Sequence, residues 1–510
     1  MSGRIVRGRS LSGEHRIETD VVVCGSGAGG SMAARELARA GLRVVLLEEG
    51  GDHLPRHFTQ REDEMIPELF QEAGGRRTDD LAVLVLSGKG LGGSTIHNTN
   101  LCKRTPPEIL AHWRDDLGLE GLGDGVMNRA FEEVERDLGV RPIALDQTSR
   151  ANELVKRGTE RLGWRGALLS HNRDQQCVGS GFCELGCAYD GKLNARRIVI
   201  PQAVSAGATV YSDARVDRVE HDGTRVSGVS ATLTDGRGRA HGTLHLRARA
   251  VCLAGSAIGS ATMAIRSDIP DLHGQLGTHL RIHPAAVVAG VFDEEVAAWR
   301  GIPQAWECTE WLDLRPGSTR RVWLIPSFAH PVGTASLTPG FGPAWLGAMR
   351  RYPRIVAIAA MVHDETAGRV YLDGDRTRIA YVPIDADREQ LALGARQAAR
   401  LLLAAGAREV TVPAIPPIVV RRSRDLAAIT RERFTPHDAK LSAVHPMGTL
   451  RMGRDPASSV VDARGKHHQL RGLRVTDGSL FPTSLGGPPQ ISIYTFALKV
   501  ARDLVEELAR

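Results

Sequence analysis

A glycine-rich turn between two apolar runs has the residue types and spacing of a dinucleotide-binding site. The segment DVVVCGSGAGG places Gly25, Gly27 and Gly30 in the order G-x-G-x-x-G. The first glycine permits a tight turn after a strand, the second lets the backbone approach a pyrophosphate, and the third lets a helix pack close to the strand. Ala28 and Gly29 lie in the same turn, where the first N–H groups of the helix attract negative charge.

An acidic residue closes the second apolar run. Glu48 ends VVLLE, 23 residues after Gly25, close to the spacing of about 20 residues for the acid that accepts a hydrogen bond from a ribose 2′-OH. An acid at this position disfavours NADP, whose ribose carries a phosphate. The order of strand, turn, helix, strand and acid therefore predicts a Rossmann-like site for an adenine dinucleotide.

The elements that must position these residues follow an α/β pattern. A second glycine-rich segment, LSGKGLGGSTIHN, follows an apolar run, so its backbone can also approach a ligand. Apolar periodicity predicts helices from about 106 to 165, and alternating runs predict a β-meander and a strand returning to the nucleotide-binding sheet from 208 to 256. Residues 286–440 predict a mixed sheet with YLDGDRTRIAYVPI as a hairpin, and a long helix ends the chain.

Length, charge and cysteine usage exclude several classes of protein. A chain of 510 residues exceeds what one core usually serves, so we expect two domains. The net charge of +6 comes without a long run of one sign, which argues against a nucleic-acid partner. Seven scattered cysteines do not predict a disulfide framework. With no signal-like segment and no run of about 18 apolar residues, we expect a cytoplasmic protein without a transmembrane segment.

Five segments together resemble the glucose–methanol–choline (GMC) oxidoreductases, flavoenzymes that bind FAD and oxidise alcohols. They are GSGAGG, GKGLGGSTIHN, LRIHP, HPMGTLRMG and GLRVTDGSLFP, in family-like order and spacing. The resemblance implies a GMC fold, of the p-hydroxybenzoate-hydroxylase-like type, whose Rossmann-like FAD-binding domain is built from residues 1–105, 190–285 and 441–510. Residues 106–189 and 286–440 would form a mixed-sheet α+β substrate-binding domain.

The same resemblance implies FAD contacts beyond the first glycine turn. The second glycine-rich segment would wrap the flavin and place backbone N–H groups near its reactive edge. Asp477 would lie near the pyrophosphate and ribityl chain, and the backbone of Val216 would hold the adenine. The predicted cofactor contacts of this set are Gly92, Gly93, Ser94, His97, Asn98, Val216, Asp477 and Gln490.

Alcohol oxidation removes a hydride from carbon and a proton from oxygen, so the site needs a base within hydrogen-bond reach of the hydroxyl. A histidine, with an ordinary pKa near 6.5, suits that role. By the resemblance, His445 in HPMGT is the general base and the hydride passes to flavin N5. Reduced flavin would then pass electrons to O2 or another acceptor. His97 and Asn98 complete the predicted catalytic set.

The sequence departs from the family at one active-site position. The family supplies a second histidine or asparagine just before the last helix, and Pro488 occupies that position here. Proline has no side-chain donor or acceptor. Either another residue replaces the missing group or the substrate needs only one polar anchor, and the candidates for replacement are His97, Asn98, Asn100 and Gln490.

His97 has a second interpretation. Some family members, including choline oxidase, attach FAD covalently through a histidine at this position, whereas others keep a residue that forms no bond. We expect FAD to be held without a covalent bond, with a link through His97 as the alternative.

Three cysteines lie close together in CVGSGFCELGC. Cys177, Cys183 and Cys187, with the following Lys192, match a pattern of the long-chain alcohol oxidase branch of the family. Zinc and iron–sulfur sites usually need four ligands, and His171 is the adjacent imidazole. We therefore predict no metal, and either free buried thiols or one local disulfide.

Three functions remain open from the sequence. The first is an FAD-dependent alcohol dehydrogenase or oxidase, and the cysteine segment favours a lipophilic, long-chain or sterol-like substrate. The second is an FAD-binding lyase of the hydroxynitrile-lyase type, which the departure at Pro488 keeps open. The third is an electron-transfer flavoprotein that uses a metal at the cysteines.

Overall fold

Two large sheets organise the chain, of which this computed structural model describes residues 3–236 and 238–509. Residues 1, 2, 237 and 510 of the predicted FAD domain lie outside the described residues. The strands are β1 (Arg4–Arg7), β2 (Gly13–Glu18), β3 (Val21–Cys24), β4 (Val44–Leu47), β5 (Val83–Val85), β6 (Leu101–Cys102), β7 (Val140–Pro142), β8 (Gly166–Leu168), β9 (Ser170–Asn172), β10 (Thr209–Ser212), β11 (Ala214–His221), β12 (Val226–Thr234), β13 (Ala240–Arg247), β14 (Ala250–Leu253), β15 (Ala285–Val291), β16 (Trp306–Cys308), β17 (Val322–Ser327), β18 (Ile355–Val362), β19 (Arg369–Asp373), β20 (Arg376–Ala380), β21 (Glu409–Val412), β22 (Ile418–Val420), β23 (Leu441–Ala443) and β24 (Leu473–Val475). The helices are α1 (Ala28–Arg39), α2 (Glu62–Leu69), α3 (Pro107–Ala111), α4 (Asp124–Asp137), α5 (Arg150–Arg161), α6 (Val199–Ser205), α7 (Ser256–Arg266), α8 (Pro331–Leu337), α9 (Gly342–Met349), α10 (Asp385–Ala405) and α11 (Gln490–Ala509).

The first large sheet is parallel and is assembled from segments far apart in the sequence. Its order is β1-β10-β4-β3-β14-β24, and each neighbouring pair runs in parallel. The strands β3, β4 and β14 are apolar and buried along their whole length, as strands covered on both faces must be. Helix α1 joins β3 to β4 and packs against α6 and α11. The predicted Rossmann-like unit and the strand that returns to its sheet are therefore confirmed.

The predicted meander forms a separate four-stranded sheet. Its order is β11-β12-β13-β2, with antiparallel pairing along the meander and β2 parallel to β13. Strand β10, at the start of the predicted meander region, instead belongs to the parallel sheet. The two sheets are thus joined by a chain that leaves the parallel sheet after β10 and returns to it at β14.

The second large sheet is mixed, and its main path is β22-β21-β15-β18-β17-β16-β8. Helices α10 and α5 pack against it, and β19 and β20 form the predicted hairpin. Strands β5 and β23, which lie in segments assigned from the sequence to the FAD domain, pair with each other beside this sheet, and β23 also pairs with β15. The mixed sheet therefore includes strands from segments assigned to both predicted domains. The domain division itself stays a prediction.

A buried carboxylate fastens α10 to the mixed sheet. Asp387, in the first turn of α10, is fully buried. It accepts hydrogen bonds from the backbone N–H of Thr366 at 2.7 Å and from the Thr366 hydroxyl at 2.6 Å. The guanidinium of Arg321, itself buried, donates to the same carboxylate at 3.0 Å. Removing this acceptor leaves the N–H of Thr366 unpaired and takes from the buried Arg321 its buried carboxylate, although Arg321 keeps Glu365 at 3.4 Å and the carbonyl of His363.

We expect Asp387→Ala to lower the free energy of unfolding by about 3–5 kcal/mol, the usual cost of breaking a buried ion pair from one side. Thermal and urea unfolding followed by circular dichroism measure it. Asp385→Ala is the matched control, because Asp385 lies in the same helical turn but its side chain is 68% exposed, and its change should stay within about 0.5 kcal/mol. An equal loss of unfolding free energy in both variants would contradict the structural role given to Asp387.

Candidate functional site

One cavity is lined by residues from both large sheets and contains most of the predicted site residues. It is lined by the first glycine turn, Glu48 and Val216, and by His97, Asn98 and His445. Pro488 and Gln490 border it too. Strands of the mixed sheet contribute the rest of its wall. The fold thus brings most of the predicted residues to one continuous space.

The three glycines of the first turn have different surroundings. A Cβ on Gly25 would lie 2.3 Å from the carbonyl oxygen of Ala254, and its φ is +109°. A Cβ on Gly30 would lie 1.8 Å from the carbonyl oxygen of Gly25, so this glycine lets the helix approach the strand. A Cβ on Gly27 meets only the Cα of Gly93, at 3.9 Å. Gly27 precedes α1 at its N-terminus, so the space beside it suits the pyrophosphate of a dinucleotide.

Glu48 ties the two glycine-rich segments together. Its carboxylate accepts hydrogen bonds from the Ser26 hydroxyl at 2.6 Å and from the backbone N–H groups of Gly50 at 2.9 Å and Gly90 at 3.1 Å. Burial and the neighbouring Glu49 raise the pKa of Glu48 to about 7, although these hydrogen bonds oppose the rise. The residue lines the cavity as predicted, and its bond to a ribose stays a prediction.

The second glycine-rich segment touches the first across the cavity. A Cβ on Gly93 would lie 2.8 Å from the Cα of Gly27, and the backbone N–H of Gly92 donates to the Ser26 hydroxyl at 2.9 Å. The Ser94 hydroxyl accepts from the N–H of Gly88 at 2.8 Å, and Ser94 lines the cavity. The two turns therefore form one backbone-lined cradle.

Two further predicted cofactor contacts reach the same cavity from other elements. Val216 lies on β11 and Asp477 follows β24, and both line the cavity. Asp477 accepts from the hydroxyl of Ser260 at 2.5 Å and from the N–H of Ser479 at 2.9 Å. Burial raises the pKa of Asp477 against these hydrogen bonds. Both residues therefore reach the cavity, and their contacts to the adenine and to the ribityl chain stay predictions.

Asn98 and Gln490 form a hydrogen-bonded pair beside the cavity. The Asn98 amide donates to the Gln490 side-chain oxygen at 2.9 Å, and the Gln490 amide donates to the carbonyl of Leu101 at 2.7 Å. The buried Lys192 ammonium donates to the carbonyls of Asn98 and Cys183. Burial lowers the pKa of Lys192, and the carbonyls satisfy its protons. This lysine therefore fastens the cysteine segment to the predicted flavin-wrapping segment.

His97 is buried against Phe70, with ring centroids 4.0 Å apart. Burial, and then the charge of Lys192, lower the pKa of His97 to about 3, so its imidazole is neutral. Its Nε2 has no hydrogen-bond partner among the described residues. Because the residue also lines the cavity, this neutral nitrogen is compatible with contact to a flavin. A covalent bond to the cofactor stays a prediction.

Backbone pairing places a second histidine next to His445. Arg281 and Met447 exchange two backbone hydrogen bonds, at 2.9 and 2.8 Å, in an antiparallel bridge. His283 is two residues after Arg281 and His445 is two residues before Met447, so the antiparallel register puts the two histidines opposite each other. Their Nδ1 atoms are 3.2 Å apart, and the ring planes are inclined by 89°.

The hydrogen-bond partners assign the protons of this histidine pair. Nε2 of His283 accepts from the backbone N–H groups of Leu485 at 3.2 Å and Gly486 at 3.1 Å, so the proton of His283 is on Nδ1. That proton is donated to Nδ1 of His445, which therefore carries its own proton on Nε2. Each ring then carries one N–H proton, and adding a further proton to either ring would break one of these hydrogen bonds. Burial lowers the pKa of His283 to about 3 and that of His445 well below its usual value, so both rings are neutral.

Asp364 holds His283 in this position. Its buried carboxylate accepts from the backbone N–H groups of Ile282 at 3.0 Å and His283 at 3.3 Å. The hydroxyls of Tyr381 and Ser484 donate to it at 2.8 and 2.7 Å. One carboxylate thus fixes the LRIHP segment and the loop whose N–H groups bind His283.

His283 lies beside His445 but is fully buried and does not line the cavity. Of the four candidates named from the sequence, Asn98 and Gln490 line the cavity and bond to each other, and His97 also lines it. Asn100 is buried, and its side-chain oxygen has no hydrogen-bond partner among the described residues. The replacement for the group missing at Pro488 stays a prediction. His283 lies in LRIHP, one of the five family-like segments, but the histidine itself is absent from the predicted set. The signal that would have revealed it is the pairing of LRIHP with HPMGT, which cannot be read from either segment alone.

The cysteine segment has no ligand set for a metal in the part of the chain that the structure describes. Cys177, Cys183 and Cys187 are free thiols in partly buried positions, so the structure favours the prediction of free thiols over that of a local disulfide. Burial raises the pKa of the Cys183 thiol to about 11.

Three strands of the mixed sheet give the cavity an apolar wall. Alternate residues of three adjacent strands face it: Ala285 and Val287 on β15, Trp323 and Ile325 on β17, and Ala359 and Met361 on β18. The period of two is that of one face of a sheet. Within residues 3–236 and 238–509, no helix combines the length and apolar character needed to cross a membrane.

Comparison with protein-family models gives matches over most of this framework. Two models described as GMC oxidoreductase match residues 66–285 and 364–497, and one described as FAD binding domain matches residues 20–54. An uncharacterized GMC-type oxidoreductase of Mycobacterium tuberculosis is 35% identical over 495 residues, which cover 96% of this chain and 76% of that protein. A long-chain-alcohol oxidase of Arabidopsis thaliana is 27% identical, covering 97% of this chain and 68% of its own length.

Solved structures share the fold at low sequence identity. Pyridoxine 4-oxidase from Mesorbium loti superposes with a TM-score of 0.70 at 18% identity, covering 95% of this chain and 99% of that one. Formate oxidase gives a TM-score of 0.71 at 15% identity, covering 98% of this chain and 99% of its own. Together with the FAD-binding match at the first glycine turn, these findings make FAD the cofactor of the cavity and confirm the predicted fold class.

We expect Gly27→Leu to purify without FAD while remaining folded. The protein leaves room for a Cβ at Gly27, so the added side chain occupies cofactor space rather than a packed core. The ratio of flavin absorbance to protein absorbance, with circular dichroism for the fold, measures the effect. Gly123→Leu is the control, because nothing lies within 4 Å of a Cβ at Gly123 and it should keep its flavin. Full flavin content in Gly27→Leu would show that the pyrophosphate lies elsewhere.

Proposed function

The chain belongs to the GMC oxidoreductase family, and we propose that it oxidises an alcohol to a carbonyl compound. The observation that carries this proposal is the setting of His445. It lines the same cavity as the backbone cradle and the apolar wall, so a substrate bound there beside the flavin would meet its ring, and His283 contacts its Nδ1. When bound, FAD supplies the acceptor, at N5, for the hydride that leaves the alcohol carbon.

The cofactor would be held by groups from four segments. The N-terminus of α1 beside Gly27 suits the pyrophosphate, and Glu48 with Val216 suits the adenosine end. Asp477 suits the ribityl side. Asn98 and its segment present backbone and amide groups to the flavin ring. We propose that the cofactor is bound without a covalent link, and that the neutral His97 packs against it.

The histidine pair handles the hydroxyl proton. In the resting pair, the N–H at Nε2 of His445 can donate a hydrogen bond to the substrate oxygen and so orient it. We propose that His445 acts as the general base from the opposite tautomer, in which its ring proton is on Nδ1, directed at Nδ1 of His283, and its free Nε2 accepts the hydroxyl proton. In that tautomer the proton of His283 is on Nε2, so the N–H groups of Leu485 and Gly486 lose their acceptor. Each buried donor left unpaired costs about 1–3 kcal/mol, which a catalysed reaction can accommodate. His283 therefore positions the base and limits when it can be protonated.

The substrate that this cavity suits is a lipophilic alcohol. The wall formed by β15, β17 and β18 offers apolar side chains to the part of the substrate away from the hydroxyl. The relatives in Arabidopsis thaliana are long-chain-alcohol oxidases, in keeping with this class. Reduced flavin would pass its electrons to O2 or to another small acceptor.

Neither alternative from the sequence has a specific observation in its favour. The lyase rests on the missing polar group alone, since Pro488 lines the cavity without a side-chain donor or acceptor. The electron-transfer flavoprotein rested on a metal at the cysteines, and no cluster of metal ligands occurs within the described ranges.

We expect His445→Ala to slow anaerobic flavin reduction by about 10²–10⁴-fold, the usual contribution of a positioned acid–base group, while FAD stays bound. Stopped-flow absorbance with a long-chain primary alcohol measures the rate. His445→Gln separates the two roles of the ring, because glutamine can donate a hydrogen bond but cannot act as a base. An equal loss of flavin-reduction rate in both variants supports the role of His445 as the base. A glutamine variant within about ten-fold of the parent would instead make His445 a hydrogen-bond donor only.

The rate of flavin reduction should be insensitive to pH between about pH 6 and about pH 8. Burial, and then the neighbouring His283, lower the pKa of His445 well below 6.5. The ring is therefore already neutral throughout this range, and the rate should fall only in stronger acid, where the base becomes protonated. A pH series of single-turnover reductions checks this. A rate that rises with pH through about 6.5 would place the titrating base on another residue.

A further inference from the structure

A helical hairpin beside the cavity carries an unusual amount of exposed apolar surface. This apolar hairpin consists of α8 and α9, residues 331–349. Neither helix has a buried residue. Phe341, between the helices, is 89% exposed, and Val332, Leu337 and Leu346 are 57%, 48% and 48% exposed. From Val322 to Met349 the sequence contains no Asp, Glu, Lys or Arg. A surface of this kind marks an interaction site more often than a solvated face.

The hairpin is well anchored at its base, so its exposure is a property of the fold. The buried Glu62 carboxylate accepts hydrogen bonds from the N–H groups of Val332 at 2.6 Å and Gly333 at 2.8 Å. The Trp345 indole N–H donates to the carbonyl of Ala335 at 3.2 Å and joins the two helices. At the C-terminal end, the Tyr352 hydroxyl donates to the carbonyl of Ala329 at 3.1 Å.

Basic side chains follow directly on the apolar hairpin. Arg350 is four residues after Leu346, so the two share one face of the helix. Arg351 and Arg421 share the single carboxylate of Glu409, which leaves an excess of positive charge at this end. At the other end, around α2, acids outnumber the basic residue: Arg61 pairs with Asp63 at 2.8 Å and Glu64 at 3.2 Å, and Glu68 is exposed as well.

We propose that the apolar hairpin docks the protein on a lipid bilayer whose surface carries anionic headgroups. Phenylalanine, leucine and valine side chains would enter the boundary between headgroups and acyl chains, and the arginines would meet the anionic lipids. A second copy of the chain fits less well, because a stable protein interface takes about 20–30 residues from each side and this surface offers four exposed large apolar side chains.

The hairpin begins beside the cavity. Ser327, which lines the cavity at the end of β17, precedes α8 by four residues. His330, immediately before α8, stacks on Phe182 at 4.4 Å between ring centroids, and Glu184 nearby also lines the cavity. A bilayer under the hairpin would therefore lie close to the apolar wall of the cavity.

Co-sedimentation of the holoenzyme with vesicles tests the docking. The vesicles are phosphatidylcholine alone, or phosphatidylcholine with phosphatidylglycerol, at low and high salt. We expect the holoenzyme to bind the anionic vesicles more tightly than those of phosphatidylcholine alone, and salt to weaken its binding to the anionic vesicles. The double variant Phe341→Glu, Leu346→Glu should lower the partition coefficient at least ten-fold on both vesicles. The double variant Arg350→Gln, Arg351→Gln should lower it on the anionic vesicles alone.

Leu272→Glu is the matched control, because Leu272 is 78% exposed but lies outside the hairpin, and it should bind like the parent. Flavin content and melting temperature confirm that every variant is folded. The proposal is overturned if the parent stays in the supernatant, or if Leu272→Glu loses binding as strongly as the hairpin variant. It is also overturned if sedimentation without lipid shows a dimer that Phe341→Glu dissociates, because the hairpin is then a contact between copies. The assay reads binding and not turnover, so its failure leaves the proposed reaction untouched.

Discussion

The antiparallel bridge between LRIHP and HPMGT is the constraint on which the proposed catalytic centre depends. Two backbone hydrogen bonds between Arg281 and Met447 set a register, and that register puts one histidine opposite the other. The same two segments lead directly into the mixed sheet, because β15 starts two residues after His283 and β23 ends two residues before His445. The bridge therefore ties the position of His445 to the strands that carry the apolar wall.

The parts of the site that could be predicted are those whose chemistry is local in sequence. Gly25 is required by its φ of +109°, and Gly30 by its contact with the carbonyl of Gly25 in the same turn, so their spacing alone indicated their roles. Only part of the role of Glu48 could be predicted. Its spacing predicts a ribose contact, but its hydrogen bonds to Gly50 and Gly90 depend on where the second glycine-rich segment lies.

His283 shows why the remainder was missed. It acts on a residue 162 positions away, and the contact exists only because two segments pair across the fold. The order of protons in the pair depends in turn on the N–H groups of Leu485 and Gly486, from a third segment. A sequence can indicate that a histidine is suited to proton transfer, but its tautomer is decided by neighbours that only the folded chain brings together.

The strand order of the parallel sheet has a consequence for biosynthesis. The dinucleotide turn after β3 is made within the first thirty residues, but β14, which pairs with β3, comes some two hundred residues later, and the edge strand β24 ends at Val475. On the ribosome, the N-terminal strand–helix–strand unit must therefore wait with its strand edges unpaired until β10 and β14 have emerged, and β14 must wait for β24. The cavity is completed later still, because Asp477 and Gln490 follow β24, so the full set of FAD contacts can form only after both residues have left the ribosome.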